Sequence, residues 1–512
     1  MTRKIELIGG GPAGLYAARL LKLKDPGLQV TVHERLSGAA ETFGFGVGLT
    51  ESTMRNLAVA DPATAEQVRA ASHAGHDLRL KGHDATVTLH GARNLAIGRA
   101  ALLEILGAAA TEMGVEIRRG SEIDAAQLDA DVVIAADGVR SRTREKYATE
   151  LGVHSSPGRT RFVWCGADFA VESAFFAAAQ RGEDLFVLHA YPYGDDRSTF
   201  LIEVDDLTWQ SAGLRAFDAR TPIGETDHAS VALLEGVFAA ELRGRRLLTN
   251  RTRWGRFTNL TLERWSTGNV VLLGDAAHTA HYTLGSGTKL ALEDAIALAE
   301  ALAGESSIAA ALAAYEAVRR PPVERFTKLA HRSQAWWDTY RLRVGLPAER
   351  LALSYMTRSG NLTLTDYAAE QLASARRALA WLGDAVPDSA ADLDEWVLSR
   401  PLAAPGLTLP TRLLTRDHLS ATTAVREVAW SEPDVWGEPA DALIAALARS
   451  GSLPVLLSGP ATPEAVAARI DLGERLRLEG QGPVGVFLGG DGDRAAAATA
   501  VAAARADFVV TT

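Results

Sequence analysis

The chain has 512 residues, 47% of them hydrophobic and 23% charged, which is enough for two or three domains with sizeable cores. A formal net charge of −10 excludes broad nucleic-acid binding, because no basic surplus is available to displace counterions. The single cysteine, Cys165, excludes a disulfide framework and cysteine-rich metal sites, and reads as a small buried apolar side chain.

In chain order, the apolar run Ile5-Glu6-Leu7-Ile8 leads directly into Gly9-Gly10-Gly11-Pro12-Ala13-Gly14. Strand, glycine turn and helix in that order are the opening of a dinucleotide site. The first glycine permits the turn, the second lets a pyrophosphate approach the backbone, and the third lets helix and strand pack closely. Phosphates then rest on the N–H groups and dipole of the helix N-terminus. The next strand, Val30-Thr31-Val32-His33, is closed by Glu34, twenty residues after Gly14, where an acid accepts hydrogen bonds from ribose hydroxyls. The loop Thr42-Phe43-Gly44-Phe45-Gly46-Val47-Gly48 is able to bring backbone and two aromatic rings against a flat ligand. Leu78 and Leu80, then Val87 and Leu89, alternate as short strands, and a helix runs from Arg99 to Met113 before Gly114. Val115-Glu116-Ile117 is a strand, and Asp131 to Ala136 is an apolar run typical of a buried parallel strand, followed by Asp137-Gly138.

The texture changes between Arg161 and Arg256. Phe162 to Cys165, Leu185 to Tyr191 and Ser198 to Val204 read as strands of an antiparallel sheet, covered by a helix from Ser230 to Leu242. His189 and Tyr191 either line a substrate face of this sheet or point into its core, since neighbours alternate, and Trp164 reads as core. Asn269 to Leu273 returns to the first architecture and ends in Gly274-Asp275, a second acid at the carboxyl end of a parallel strand, where open α/β sheets bind ligands. Leu284-Gly285-Ser286-Gly287-Thr288 opens a helix whose N–H groups suit a carbonyl or an anion. Helix then extends from about Ser286 to Arg343, with a break expected at Pro321-Pro322, and more helix reaches Leu382. Pro387 to Pro410 is linker-like, and βαβαβ follows, too little chain for a full barrel. Two basic clusters, Arg140/Arg142/Arg144/Lys146 and Arg243/Arg245/Arg246/Arg251/Arg253, read either as solvated faces or as contacts to phosphates. The early first strand and the lack of a membrane-length apolar run predict no leader, no membrane partner and a cytoplasmic location.

The three glycine–acid elements, Gly9/Gly11/Gly14 with Glu34, Asp137-Gly138 and Gly274-Asp275, resemble the group A FAD-dependent aromatic hydroxylases over about residues 3 to 380. Phe43-Gly44-Phe45-Gly46-Val47, His189-Ala190-Tyr191 with Ser198-Thr199-Phe200, and His278 to Lys289 are similar to the branch holding salicyloyl-CoA and anthraniloyl-CoA 5-hydroxylases and the tryptophan hydroxylase of violacein biosynthesis. Where that family usually has a proline beside the flavin, this chain has His281-Tyr282. The resemblance implies an α/β fold, α+β overall: a Rossmann-like FAD-binding domain (1–75, 97–155 and 265–345) and an inserted antiparallel-sheet substrate domain (76–96 and 156–264). A helical extension (346–400) and a small C-terminal α/β appendage (401–512) complete it, the latter resembling from Pro405 to Arg412 a truncated, non-catalytic old-yellow-enzyme barrel.

By the same resemblance FAD is held by Gly9, Gly11, Pro12, Ala13, Gly14, Glu34, Arg35, Phe45, Gly46, Val47, Arg99, Asp137, Gly138, Gly274, Asp275, Gly285, Ser286, Gly287 and Thr288. NADH or NADPH is the implied reductant and O2 the co-substrate, with oxygen delivered through a flavin C4a-hydroperoxide to a small aromatic substrate, foremost an aryl-CoA thioester. A free or carrier-bound aromatic acid, an indole, or a dehydrogenase or reductase reaction are the alternatives. His281 and Tyr282 are the catalytic candidates, His281 being equally readable as a structural histidine bonded to backbone. No metal is implied, and the protein is expected to be a monomer or homodimer.

Overall fold

The computed structural model describes residues 3–38, 45–91, 94–285, 287–422, 425–449, 453–490 and 493–512. The chain divides into two units, Met1–Leu78 with Gly91–Gln334, and Arg79–His90 with Ala335–Thr512.

In the first unit a six-stranded sheet runs in the order Ser266–Thr267, Val270–Leu272, Val132–Ala135, Lys4–Ile8, Gln29–Glu34, Glu116–Arg119, with only the first pair antiparallel. Its strands are apolar at consecutive positions because both faces are covered. Leu7, Val32 and Ile134 face the large core built with the helices Pro12–Lys24, Arg99–Glu112 and Gly287–Gly304. Ile8, Val133 and Val270 face the opposite side, over Ala125. Pro12 starts its helix at a position that has no N–H to lose, and Lys22 and Lys24 complement the dipole at the far end.

The inserted sheet is antiparallel, with Gly255–Leu262, Val153–Ala167, Arg197–Val204, Asp184–Gly194 and Ala174–Arg181 as successive neighbours. One face carries Val163, Cys165, Phe186, Leu188, Phe200 and Ile202, packed under Trp209, Leu214, Val231 and Leu234 of the covering helices Asp206–Ser211, Leu214–Arg220 and His228–Val237. That face is filled, so alternation sends Trp164, His189, Leu201 and Glu203 to the other one. Trp164, expected in the core, therefore stands on the opposite face. Pairing aligns Trp164 with Leu201 and Leu201 with His189, while Glu203 lies opposite Phe162 and Val187.

Three further expectations are corrected. Pro321 and Pro322 do not break the helical tract but lie inside the helix Ile308–Asp338. Both are exposed, as are Ala317 and Val318 one turn earlier, so the carbonyls that lose an N–H partner there face water. The covering helix ends at Val237, not Leu242. The stretch Pro387 to Pro410 is no linker: the helix Leu393–Ser399 and the hairpin Leu402–Ala404/Leu407–Leu409 bury Trp396, Val397, Leu402, Leu407 and Leu409.

In the second unit Gly82 packs on Ala348, and the Asp84 carboxylate accepts the Ala348 N–H at 2.9 Å. Its parallel sheet runs Leu413–Thr415, Phe508–Thr511, Val484–Phe487, Val455–Ser458, Arg426–Ala429. The three central strands are those of the expected βαβαβ; Leu413–Thr415 is only three residues long and Arg426–Ala429 is half polar, so neither carries a strand signal. Arg469, 0% exposed, lies across the carboxyl ends and donates to the carbonyls of Phe487, Trp430 and Pro460 at 3.0, 3.3 and 2.9 Å. Among the described residues no helix is long and apolar enough to cross a membrane.

Burial pushes the Cys165 thiol up to about 12, leaving essentially no thiolate at neutral pH. An aromatic disulfide reagent at pH 8 is expected to leave Cys165 unlabelled in the native protein and to label it fully in denaturant; rapid native labelling would remove it from the core.

Candidate active site

The carboxyl edge of the first parallel sheet brings the three glycine–acid elements into one row, because their strands are neighbours. The glycines divide the work. Gly9 has φ +105°, and a Cβ there would lie 2.3 Å from the Ala136 carbonyl oxygen. A Cβ on Gly14 would lie 2.1 Å from the Gly9 oxygen, so helix and strand touch through backbone alone. Gly11 differs: among the described residues nothing lies within 4 Å of its Cβ position, and its φ is −75°, leaving backbone open to a ligand. No side chain caps the helix that Gly11 begins, so its first N–H groups remain available to an anion. Glu34 is anchored beside this turn, accepting the Gly10 and Leu36 N–H groups, each at 2.7 Å.

Asp137 follows its strand as expected. One carboxylate oxygen accepts from the Thr143 N–H and hydroxyl at 3.2 and 3.1 Å, while the other is buried with no partner among the described residues. Arg99 begins its helix, donates its N–H to the Phe45 carbonyl at 2.7 Å, and buries an Nε that has no partner among the described residues. Burial lowers the Arg99 guanidinium pKa, with the Asp275 charge opposing it. Asp275 is reached by solvent at the mouth of the crevice yet is closely surrounded by protein. That crowding raises its carboxyl pKa, offset in part by Arg99 and His278.

Two residues outside the expected set hold these turns. Arg144 donates to the carbonyls of Val139, Asp275 and Ala276 at 2.5, 3.4 and 3.0 Å, stapling both acid-bearing turns together. Asp294, 0% exposed, accepts the Gly274 N–H at 3.2 Å, His278 Nε2 at 2.7 Å and Arg319 Nε at 2.8 Å. Burial alone would raise its carboxyl, but His278 and Arg319 outweigh that and hold it below the usual aspartate range. The rest of the basic clusters is largely matched by acids: Lys146 with Asp124, Arg142 with Glu122, Arg243 with Glu172, Arg245 with Asp168, Arg246 with Glu235 and Arg253 with Asp218.

Against this edge stands the polar and aromatic face of the inserted sheet. Gly46 donates its N–H to the Thr199 hydroxyl at 3.0 Å and accepts the Tyr191 hydroxyl at 2.7 Å. Phe45 lies against Gly166, where a Cβ would come within 2.6 Å of its ring. Tyr191 thus serves the Phe45-Gly46-Val47 loop, while His189 stands beside Glu203, its Nε2 at 3.5 Å from a carboxylate oxygen. Tyr282 donates its hydroxyl to that same oxygen. Its ring lies 5.1, 6.0, 6.0 and 6.5 Å from those of Phe162, Trp164, Phe257 and His189. His281 is buried, stacks 4.1 Å from Tyr282, and meets the Thr283 hydroxyl through Nδ1 at 3.0 Å. The Trp164 indole N–H is buried and has no partner among the described residues. Phe43, Gly44 and Ser286 lie outside the described residues. Glu203, missed in the sequence, has a visible signal: it is the one acid in the apolar run Phe200-Leu201-Ile202-Glu203-Val204.

Residues 3–131 and 123–330 match the FAD binding domain family. The chain belongs to the group A FAD-dependent aromatic hydroxylases. It is 38% identical over 71% of its length to the salicyloyl-CoA 5-hydroxylase of a Streptomyces species, covering 72% of that protein. It is 39% identical over 72% of its length to a 3-hydroxy-4-methyl-anthranilyl-(aryl-carrier protein) 5-monooxygenase of Streptosporangium sibiricum, covering 97% of it. Among solved structures, the tetrameric form of 2-methyl-3-hydroxypyridine-5-carboxylic acid oxygenase shares the fold at TM-score 0.53 and 22% identity, over 73% of this chain and 96% of that one.

The hydroxylase is thus a FAD-dependent monooxygenase, and its crevice fits the cofactor on structural grounds. The opening at Gly11 and the uncapped helix leave backbone N–H groups accessible to a phosphate, and the buried Arg99 Nε and Asp137 Oδ1 have no partner among the described residues. Two glycine substitutions separate fold from cofactor. Gly14→Ala is expected to destabilise the apoprotein by about 1–3 kcal/mol through backbone overlap. Gly11→Ala is expected to leave apoprotein stability within about 0.5 kcal/mol while weakening FAD binding roughly tenfold or more. Urea unfolding and fluorescence titration with FAD read the two effects; equal apoprotein loss in both variants would contradict the assigned division.

Proposed function

We propose that this hydroxylase uses NADH or NADPH and O2 to hydroxylate an aromatic acid activated as a thioester, with salicyloyl-CoA as the foremost candidate. In this reading Gly9, Gly11, Pro12, Ala13 and Gly14 receive the pyrophosphate, and Glu34 with Arg35 the adenosine ribose. Arg99, Asp137, Gly138, Gly274 and Asp275 hold the remaining polar chain of the cofactor. Phe45, Gly46, Val47, Gly285, Gly287 and Thr288 would border the flavin ring. Bound FAD supplies the redox chemistry, accepting hydride from the nicotinamide and transferring one oxygen atom of O2 to the ring.

The polypeptide's share is to position, polarise and exclude water. Rings of Phe162, Trp164, Phe257 and Tyr282 offer an apolar box for an aromatic substrate, with His189, His281 and Glu203 as its polar members. The observation that carries the reading is this aromatic cluster on a sheet face that alternation leaves outside the core, facing the edge that bears the three glycine–acid elements. The unpartnered Trp164 N–H suits an acyl carbonyl. Support for a thioester comes from the two relatives, one named for a CoA ester and the other for a carrier-bound acid. The arginine clusters add none, since acids already face most of them.

Oxidation of NADH and of NADPH by the purified protein, measured against salicylate, anthranilate, tryptophan, salicyloyl-CoA and anthraniloyl-CoA with products identified by mass, tests the assignment. A product from the thioesters is expected; turnover of the free acids alone overturns it. His281→Ala is expected to lower the yield of hydroxylated product per NAD(P)H consumed and to slow kcat by roughly a hundredfold, with FAD affinity little changed. Unaltered coupling would remove His281 from the chemistry.

A further inference from the structure

Glu203 is 2% exposed, and it lies among aromatic rings rather than on the FAD-binding edge. A carboxylate in such a place is costly unless donors converge on it. Burial pushes its carboxyl up, but His189, His281 and the Tyr282 hydroxyl outweigh burial and hold it below the usual glutamate range, so it is ionised at neutral pH. An ionised carboxylate only accepts. The hydrogen of the Tyr282 hydroxyl is therefore committed to Glu203, and the rotor cannot turn to donate elsewhere.

Tyr282 is only half-buried, whereas Glu203 is sealed beneath it. Any group that reaches the Tyr282 oxygen from the box must bring its own hydrogen. We propose that the Tyr282–Glu203 pair is the specificity device of this site, admitting rings that carry a hydroxyl or amine and rejecting those in which that group is capped. Glu203 acts through Tyr282 and is a positioning residue; Tyr282 is the group that meets substrate. The inference rests on the reading of this face as the substrate box, but not on the thioester.

A hydrogen bond from a donor to a preset acceptor has a second effect that matters for ring oxidation. It draws electron density from the O–H or N–H bond towards the ring, making the ring a better nucleophile in the ground state. The same pair thus selects the class of ring that is reactive enough to be hydroxylated.

The test uses the FAD-loaded enzyme and two matched pairs, salicylate with 2-methoxybenzoate and salicyloyl-CoA with 2-methoxybenzoyl-CoA. Dissociation constants come from the change each ligand makes in the flavin absorption spectrum, with no need for turnover. Wild type is expected to prefer the hydroxyl member by on the order of a hundredfold. In Glu203→Gln the side-chain amide is able to donate to the Tyr282 oxygen, so its hydroxyl turns outward and the preference falls at least about tenfold. Tyr282→Phe removes the acceptor without adding a donor, and is expected to bind both members alike while retaining FAD; it carries the test if the Glu203 variant loses its cofactor. Absence of preference in the wild type for both pairs, or a preference that survives Tyr282→Phe, overturns the proposal. Discrimination within the free-acid pair when neither thioester perturbs the flavin leaves it standing and overturns the thioester reading alone.

Discussion

One buried carboxylate governs where the nucleotide edge can be. Asp294 joins the Gly274 turn, His278 and Arg319, and so locks the helix Gly287–Gly304 to the strand end bearing Asp275 and to the helix Ile308–Asp338. Charges this deep are worth having only when each is matched, since an unmatched one costs several kcal/mol. The arrangement is therefore close to all-or-none, and a turn held this way does not drift. Arg144 extends the same logic to the neighbouring strand by occupying carbonyls on both turns. A shallow, exposed arginine would steer anions; this one has spent its donors on backbone, which is why Asp275 can face the crevice in a fixed position.

What could be read beforehand follows from the range of the interactions. The glycine turn, Glu34 and the acids after their strands are local patterns, each forced by backbone geometry within a few residues, and they stand where the spacing placed them. Alternation also settled which residues of the inserted sheet share a face, once the packed side was known; His189 and Glu203 follow from Phe186, Leu188 and Ile202 filling the other. Trp164 departs from expectation because hydrophobicity alone does not distinguish a packed core face from an aromatic face outside it. Arg144 and Asp294 were illegible for a different reason: their partners are distant in sequence and are chosen by tertiary packing. Pro321 and Pro322 misled because a helix tolerates missing N–H groups when the orphaned carbonyls face water. The Leu393–Leu409 region misled because proline content outweighed a sparse apolar signal.

The substrate-facing sheet and the cofactor-side loop are not independent parts. Gly46 is gripped from both its N–H and its carbonyl by Thr199 and Tyr191, neighbours across one strand pair, while Phe45 fills the gap left by Gly166. The Arg99 N–H then bonds the Phe45 carbonyl. Backbone of the loop, the first residue of a helix and two strands of the inserted sheet are thus linked through short, directional bonds, so the box and the cradle share a common frame.

The two parallel sheets of this chain end differently. In the first, Gly9 and Gly274 turn the chain at the strand ends and Arg144 binds carbonyls on the turns that follow; in the second, the guanidinium of Arg469 spans the corresponding ends and donates to a carbonyl at each of three. One guanidinium thereby ties three separate strand ends to the helix Pro463–Leu478 that carries it, so that edge is held as a unit.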